Sequence, residues 1–201
     1  EIRTPLTLIN GPLENILLKK TVDPEIREDL NIMKQNTERL LSLTNQLLDF
    51  RKTESQGFRL NFAECNVTEV LKETYNRFTS LARQRELDFV LNVGEQDFYA
   101  HVNKEAFTKI VSNLLNNAVK YAETYVHVFL EMNGIGEKRM FYIRTVNDGV
   151  IIPNEMKEEI FKPFVRFNEK EDGKVTTGTG IGLALSRSLA ELHQGSLMML
   201  E

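Results

Sequence analysis

Three short stretches of this chain set amides, a lysine and glycines in patterns suited to holding a phosphate and its metal ion. The first is NLLNNAVKY, residues 113–121. At about 100° per residue on a helix, Asn113, Asn117 and Lys120 fall within roughly 60° of one another. Phe107, Ile110, Val111, Leu114, Leu115 and Ala118 take the other side. Amide oxygens are ligands for a hard cation such as Mg2+, and a lysine ammonium offers charge to phosphate. The second stretch is VNDGVIIP, residues 146–153, which follows a strand-like run. A polar side chain at a strand end followed by glycine can enter a pocket while the backbone turns away. The third is GTGIGLALSRSLAELHQG, residues 178–195, where Gly178, Gly180 and Gly182 lead straight into an amphipathic helix. Glycines let backbone N–H groups approach phosphate oxygens, and a helix N-terminus adds favourable partial charge. It follows no strand of a βαβ unit, which argues against a dinucleotide fold.

Two neighbouring segments belong with these. FNEKEDGKVTTGTG, residues 167–180, is polar and dotted with glycine, as a mobile flap over a ligand would be. IFKPFVRF, residues 160–167, supplies Phe161, Phe164 and Phe167 as packing anchors for that flap. Arg166 fits a phosphate contact or a surface position equally. Taken singly, each stretch also fits a bland role: a solvated helix face, an Asn-Asp-Gly turn, a glycine-rich loop.

The elements that would position these residues follow from periodicity. Glu1 to Lys20 reads as a helix with Leu6, Ile9, Leu13, Ile16 and Leu17 at helical spacing and a kink at Gly11-Pro12. Asp23 suits an N-cap and Pro24 the first turn of a second helix to about Lys52, with Leu30, Met33, Leu40, Leu41, Leu47 and Leu48 as its apolar stripe. Two such helices cannot bury both stripes alone, and pairing with a second copy into a four-helix bundle solves this. We therefore expect a homodimer through residues 1–52, a linker at 53–57 and a second domain over 58–201. In the latter, strands are expected at 58–62, 87–93, 98–102, 125–130 and 140–146, helices at 66–82, 104–122 and 181–193, and a final strand from near Ser196 that the chain end cuts short. The fold class is α+β: a helical hairpin, then an α/β sandwich with helices on one face of a mostly antiparallel sheet.

Composition narrows the function. The 201 residues are 41% hydrophobic and 27% charged, with a net charge of −4, which disfavours a general nucleic-acid binder. The single cysteine, Cys65, excludes an internal disulfide framework and fits a reducing compartment. No apolar run reaches the roughly 20 residues that span a bilayer, so no membrane contact is expected of this stretch.

In this order, the motifs resemble those of the sensor histidine kinases of two-component signalling over essentially the whole chain. EIRTPL is similar to the phosphoacceptor box just after its histidine, NLLNNAVKY to the N box, VNDGVIIP to the first glycine box, IFKPF to the F box and GTGIGLALS to the second glycine box. The Gly-Pro in the first helix resembles the hybrid sensors of Bacteroides-type bacteria. The resemblance implies an enzyme: a protein-histidine kinase with a Bergerat-type ATP-binding domain. ATP and Mg2+ are its cofactors, and its cytoplasmic kinase portion belongs to a membrane-anchored sensor.

By the same resemblance, the residue before Glu1 would be the phosphorylated histidine, with Glu1 accepting its proton and Thr4 positioning water for dephosphorylation. Asn117 would be the main metal ligand, Asn113 its neighbour, and Lys120 and Tyr121 would stand beside the phosphates. Asn147, Asp148, Gly149 and Phe161 would line the nucleotide site, and Gly178, Thr179, Gly180, Ile181, Gly182 and Leu183 would wrap the triphosphate. The phosphoryl group would pass to an aspartate of a response-regulator receiver domain.

Three positions depart from the pattern. Asn147 stands where an aspartate usually meets the adenine amino group, Ile151 replaces the second glycine of that box, and Asn103 replaces a common acidic residue. These keep two other readings open: a degenerate nucleotide-binding signalling module, and another Bergerat-fold ATPase. His101, His127 and His193 do not stand in for the missing acceptor. The first two sit in strand patterns and the third near a helix end.

Overall fold

The computed structural model describes residues 3–19, 23–55, 59–134, 140–167 and 178–200. It divides the chain into two compact units, Glu1–Ser55 and Gln56–Glu201.

In the first unit, α1 spans Arg3–Leu17 and α2 Pro24–Glu54. Asp23 caps α2 by accepting a hydrogen bond from the Glu25 N–H at 2.9 Å, and Pro24 opens the helix. Both follow from the orphan N–H groups of a first turn. Pro12 lies inside α1. The turn between the helices is fastened by Arg27, whose guanidinium donates to the Leu17 carbonyl at 3.0 Å and the Lys19 carbonyl at 2.9 Å. It thereby satisfies carbonyls that a helix end leaves without partners. Leu13 and Thr37 are buried within the hairpin, and Lys34 lies 3.5 Å from Glu14 across it. Much of the apolar stripe is exposed in the single chain: Ile9, Ile16, Met33, Leu40, Leu47 and Leu48.

Among its described residues, the second unit packs three helices, α3 (Val67–Gln84), α4 (Lys104–Tyr121) and α5 (Gly182–Leu192), with five strands. Strand β1 (Ala63–Asn66) pairs antiparallel with β3 (Tyr99–Val102). Strand β2 (Asp88–Val93) pairs parallel with β4 (Tyr125–Asn133), which pairs antiparallel with β5 (Met140–Asn147). Val126, Val128 and Leu130 alternate inward along β4 and join Val111, Leu115, Ala118 and Val119 of α4 and Val67, Val70 and Leu71 of α3 in one core. Burial of this helix stripe against one sheet face is what holds α4, the element that carries the amides, in a fixed orientation.

Four sequence expectations shift. Residues 59–62 carry alternating apolar side chains but form no strand; pairing begins at Ala63, in register with Val102. Phe62 turns its ring edge-on to His193 at 5.3 Å instead. Phe58 lies outside the described residues. Helix α2 runs through Thr53 and Glu54, so the 53–57 linker shrinks to its last residues, of which 56 and 57 are outside the description. The run from Ser196 to Leu200 has no strand partner among the described residues; the Leu197 carbonyl is engaged by Arg187 at 3.2 Å. The three-stranded sheet is mixed, since β2 and β4 run parallel.

Candidate active site

Helix α4 is the spine of the site. Its N-cap is Asn103, whose side-chain oxygen accepts from the Ala106 N–H at 2.9 Å while its amide nitrogen donates to the Asn61 carbonyl at 3.0 Å. An Asn here does the capping work an Asp would do and adds a donor. The Asn103 backbone N–H donates to His193 Nε2 at 3.1 Å, and His193 Nδ1 lies 2.6 Å from the Leu189 carbonyl. This fixes the Nδ1–H tautomer and leaves both ring nitrogens occupied. At the other end, the Arg85 guanidinium donates to the carbonyls of Val119 and Ala122, capping the helix C-terminus.

Both glycine-bearing stretches meet this helix. Gly182 sits against Asn113: the Asn113 amide donates to the Gly182 carbonyl and to the buried Ser186 hydroxyl, both at 3.1 Å. Gly178 backs onto Lys120, where an added Cβ would stand 3.0 Å from the ammonium nitrogen. Lys120 Nζ itself lies 2.9 Å from the Tyr121 hydroxyl. Gly149 abuts the last turn, where a Cβ would fall 2.0 Å from the Tyr121 carbonyl oxygen, so no other residue fits. From Asn113 to Tyr121 is about 12 Å of helix axis. Asn117 lies between, half-buried, and its amide makes no hydrogen bond to the described residues.

Asn147 and Asp148 part company. Asn147 ends β5, in register with Val126, and its amide makes no hydrogen bond to the described residues. The Asp148 carboxylate is fully engaged: it accepts from the backbone N–H groups of Glu123, Thr124 and Tyr125 at 2.9 to 3.2 Å and from the Thr124 hydroxyl. Those hydrogen bonds, the Thr124 hydroxyl foremost, hold its carboxyl far below the usual carboxylate range. Asp148 thus staples the β5 turn to the loop after α4, and Asn147 is the polar group with an open amide.

The remaining residues separate by role. At the start of α5, Ile181 is buried, and its N–H donates to the Thr179 hydroxyl at 3.3 Å. Gly182 and Leu183 open the helix, so their N–H groups have no intrahelical acceptor. Gly180 adopts φ +68°. Phe161 is 7% exposed, and its ring is covered by the Arg187 guanidinium at 4.1 Å. Thr4 lies in α1, but its side chain, like Glu1 and the flap residues 168–177, is outside the description. Ser186, Arg187, Arg85 and Thr124 were not legible as site residues, because each acts through a partner distant in sequence.

Comparison with known proteins bears on this geometry. Residues 1–56 match the His Kinase A (phospho-acceptor) domain, and residues 102–199 match the histidine kinase-, DNA gyrase B- and HSP90-like ATPase domain. Histidine kinase P4 of Formosa agariphila is 31% identical over 201 residues, covering 99% of this chain and 14% of that protein. The chain belongs to the sensor histidine kinases. It spans between 13% and 32% of the length of three curated relatives it matches. Its fold is shared with full-length ShkA in complex with AMPPNP, at TM-score 0.76 and 23% identity, over 95% of this chain and 39% of that one. The histidine kinase ThkA, solved in complex with the response regulator TrrA, gives TM-score 0.61 at 25% identity, over 96% of this chain and 52% of that one. The stretch that resembles the N box is α4, and the two that resemble the glycine boxes are the segments that meet it.

Proposed function

We propose that this sensor kinase binds ATP with Mg2+ on the α4 face and moves the γ-phosphoryl group to the histidine that the EIRTPL box places before Glu1. From there the group passes to an aspartate of a response-regulator receiver. The carrying observation is the convergence of Gly149, Gly178 and Gly182 on one helix that also bears Asn113, Asn117 and Lys120. A backbone without Cβ atoms, a lysine and uncapped helix N–H groups make a surface suited to a chain of phosphates.

The donor set fits a hard cation: Asn117 offers an amide oxygen not engaged by the described residues, one turn from Asn113. The bound metal supplies neutralisation of phosphate charge. Lys120 adds positive charge beside Gly178, and the N–H groups of Gly182 and Leu183 donate to phosphate oxygens. Asn147 accepts from the adenine amino group, with a neutral bond in place of a charge-assisted one. Gly149 lets the base approach the end of α4. Transfer forms the bond between phosphorus and the imidazole nitrogen, breaks the bond to the β-phosphate oxygen, and leaves the imidazole proton to the Glu1 carboxylate. Thr4, one turn on, serves dephosphorylation by orienting the water that takes up the phosphoryl group as inorganic phosphate.

The exposed stripe of α1 and α2 supports a homodimer through the hairpin, since contiguous apolar surface of this kind marks an interface. The ThkA–TrrA complex supports a receiver domain as the second partner. No described helix is long and apolar enough to cross a membrane.

Incubation of the chain, extended by a histidine before Glu1, with radiolabelled ATP and Mg2+ tests the reading. Acid-labile label on that histidine is expected, and its loss in Asn117→Ala. The second reading, a degenerate module, rests on Asn147 and on Ile151, which is 88% exposed where the box carries glycine. It leaves the histidine unlabelled.

A further inference from the structure

The segment 158–164 is fastened at two separate points, once to Arg187 in the middle of α5 and once to Gly180 of the second glycine box, just before that helix. At the first, the Arg187 guanidinium makes a two-pronged ion pair with Glu158, Nη1 to Oε2 at 2.8 Å and Nη2 to Oε1 at 3.3 Å. It lies over the buried Phe161 ring, 4.1 Å from its centroid, and donates through Nε to the Leu197 carbonyl at 3.2 Å. One planar side chain thus joins the 3-10 turn Glu159–Phe161, the middle of α5 and the segment after it, a task for which arginine's rigid fork is suited and lysine's point charge is not. At the second, the Phe164 N–H donates to the Gly180 carbonyl at 2.8 Å. Both residues are left-handed, at φ +67° and +68°, and a Cβ on Gly180 would fall 2.8 Å from the Phe164 Cα and carbonyl carbon.

A bulky residue at positive φ is costly and persists only where its surroundings impose it. The Phe164 side chain, 64% exposed, does not supply that reason. Its backbone is held instead: the Phe164 N–H is engaged by the Gly180 carbonyl. That carbonyl shares a peptide plane with the Ile181 N–H at the start of α5. Holding one end of the plane orients the other, and the N–H groups of Gly182 and Leu183 follow in the next two planes.

We infer that Arg187, together with Glu158 and the Phe164 backbone, is a positioning device for the phosphate-facing start of α5, acting on the triphosphate without touching it. This rests on the nucleotide reading above. Breaking the Arg187–Glu158 fork frees the 158–164 segment and lets the Gly180 peptide turn. The phosphates lose their donors while the adenine end, set by Asn147 and Gly149 at the far end of α4, keeps its own.

The discriminating experiment measures binding of two ligands, AMP-PNP with Mg2+ and adenosine, to the 201-residue chain and its Arg187→Met, Glu158→Ala and doubly substituted forms, with thermal unfolding of each. Each single change is expected to weaken AMP-PNP on the order of tenfold and adenosine by less than about twofold, and the double change to cost no more than either single one. Equal weakening of both ligands, or unaltered AMP-PNP affinity in both single variants, overturns the proposal. If Arg187→Met fails to fold, Glu158→Ala decides alone by the same two ratios. Wild-type chain that binds neither ligand overturns the nucleotide reading itself, a result distinct from either.

Discussion

The two units of this chain treat their apolar side chains in opposite ways. The domain from residue 59 onward closes its own core: Val67, Leu71, Val111, Leu115, Val126 and Val128 are essentially inaccessible, and its sheet face is covered by its own helices. The hairpin leaves its stripe half open, with Met33, Leu40 and Leu48 about as exposed as polar residues commonly are. One unit buries its apolar face within itself. The other leaves an apolar face open, the face that the proposed homodimer would cover.

The largest test of that contrast is to charge the hairpin stripe. Leu40→Glu combined with Leu48→Glu is expected to remove about 4 kcal/mol or more of association free energy, a change on the order of a thousandfold in dimer dissociation. Sedimentation equilibrium reads this directly, and a dimer of unaltered strength would erase the contrast. The unfolding temperature of a fragment holding only 59–201 should stay where it is in the full chain.

Next in size is Gly149→Ala. A methyl group 2.0 Å from the Tyr121 carbonyl oxygen forces the β5 turn off the end of α4, at a cost of about 3 kcal/mol in the second unit. Chemical denaturation should show it, with the dimerisation constant untouched. A third, smaller effect concerns acid. Asp148 has a carboxyl depressed by the Thr124 hydroxyl and the backbone N–H groups of residues 123–125. Its contribution is fully present above the ordinary carboxylate range and is lost as pH falls toward the folded-state value. Asp148→Asn should therefore be less stable than wild type at neutral pH, with the gap closing as the solution is acidified. A gap independent of pH would assign Asp148 no such role. The smallest effect is Asn147→Asp, expected to tighten adenine nucleotides by about 1 kcal/mol through a charge-assisted bond. Titration calorimetry would detect it.

How much of this was legible in the residues differs between the units as well. Periodicity and caps gave the hairpin nearly whole, because Asp23-Pro24 and the leucine stripe are local signals. In the second unit, α3, α4 and α5 came out close to their observed ends for the same reason. The misses were non-local. Phe58, Leu60 and Phe62 alternate like a strand, yet pairing with β3 starts only at Ala63, a choice made by residues 99–102. The parallel β2–β4 pair depends on a connection through β3 and α4 that no local pattern announces. At the site, the glycines and amides were readable by type. That Asp148 would be consumed as a staple and Asn147 left open, or that Phe161 would lie beneath Arg187, depended on partners about 24 and 26 residues away.

The central claim is that α4 and the two glycine stretches on it form one nucleotide site. Amide chemical-shift mapping of the second unit with Mg2+ and AMP-PNP tests it most directly. The account predicts shifts concentrated at Asn113, Asn117, Lys120, Gly149, Gly178 and Gly182, abolished by Asn117→Ala in a protein that remains folded. Shifts that cluster elsewhere, or persist unchanged in that variant, would contradict it.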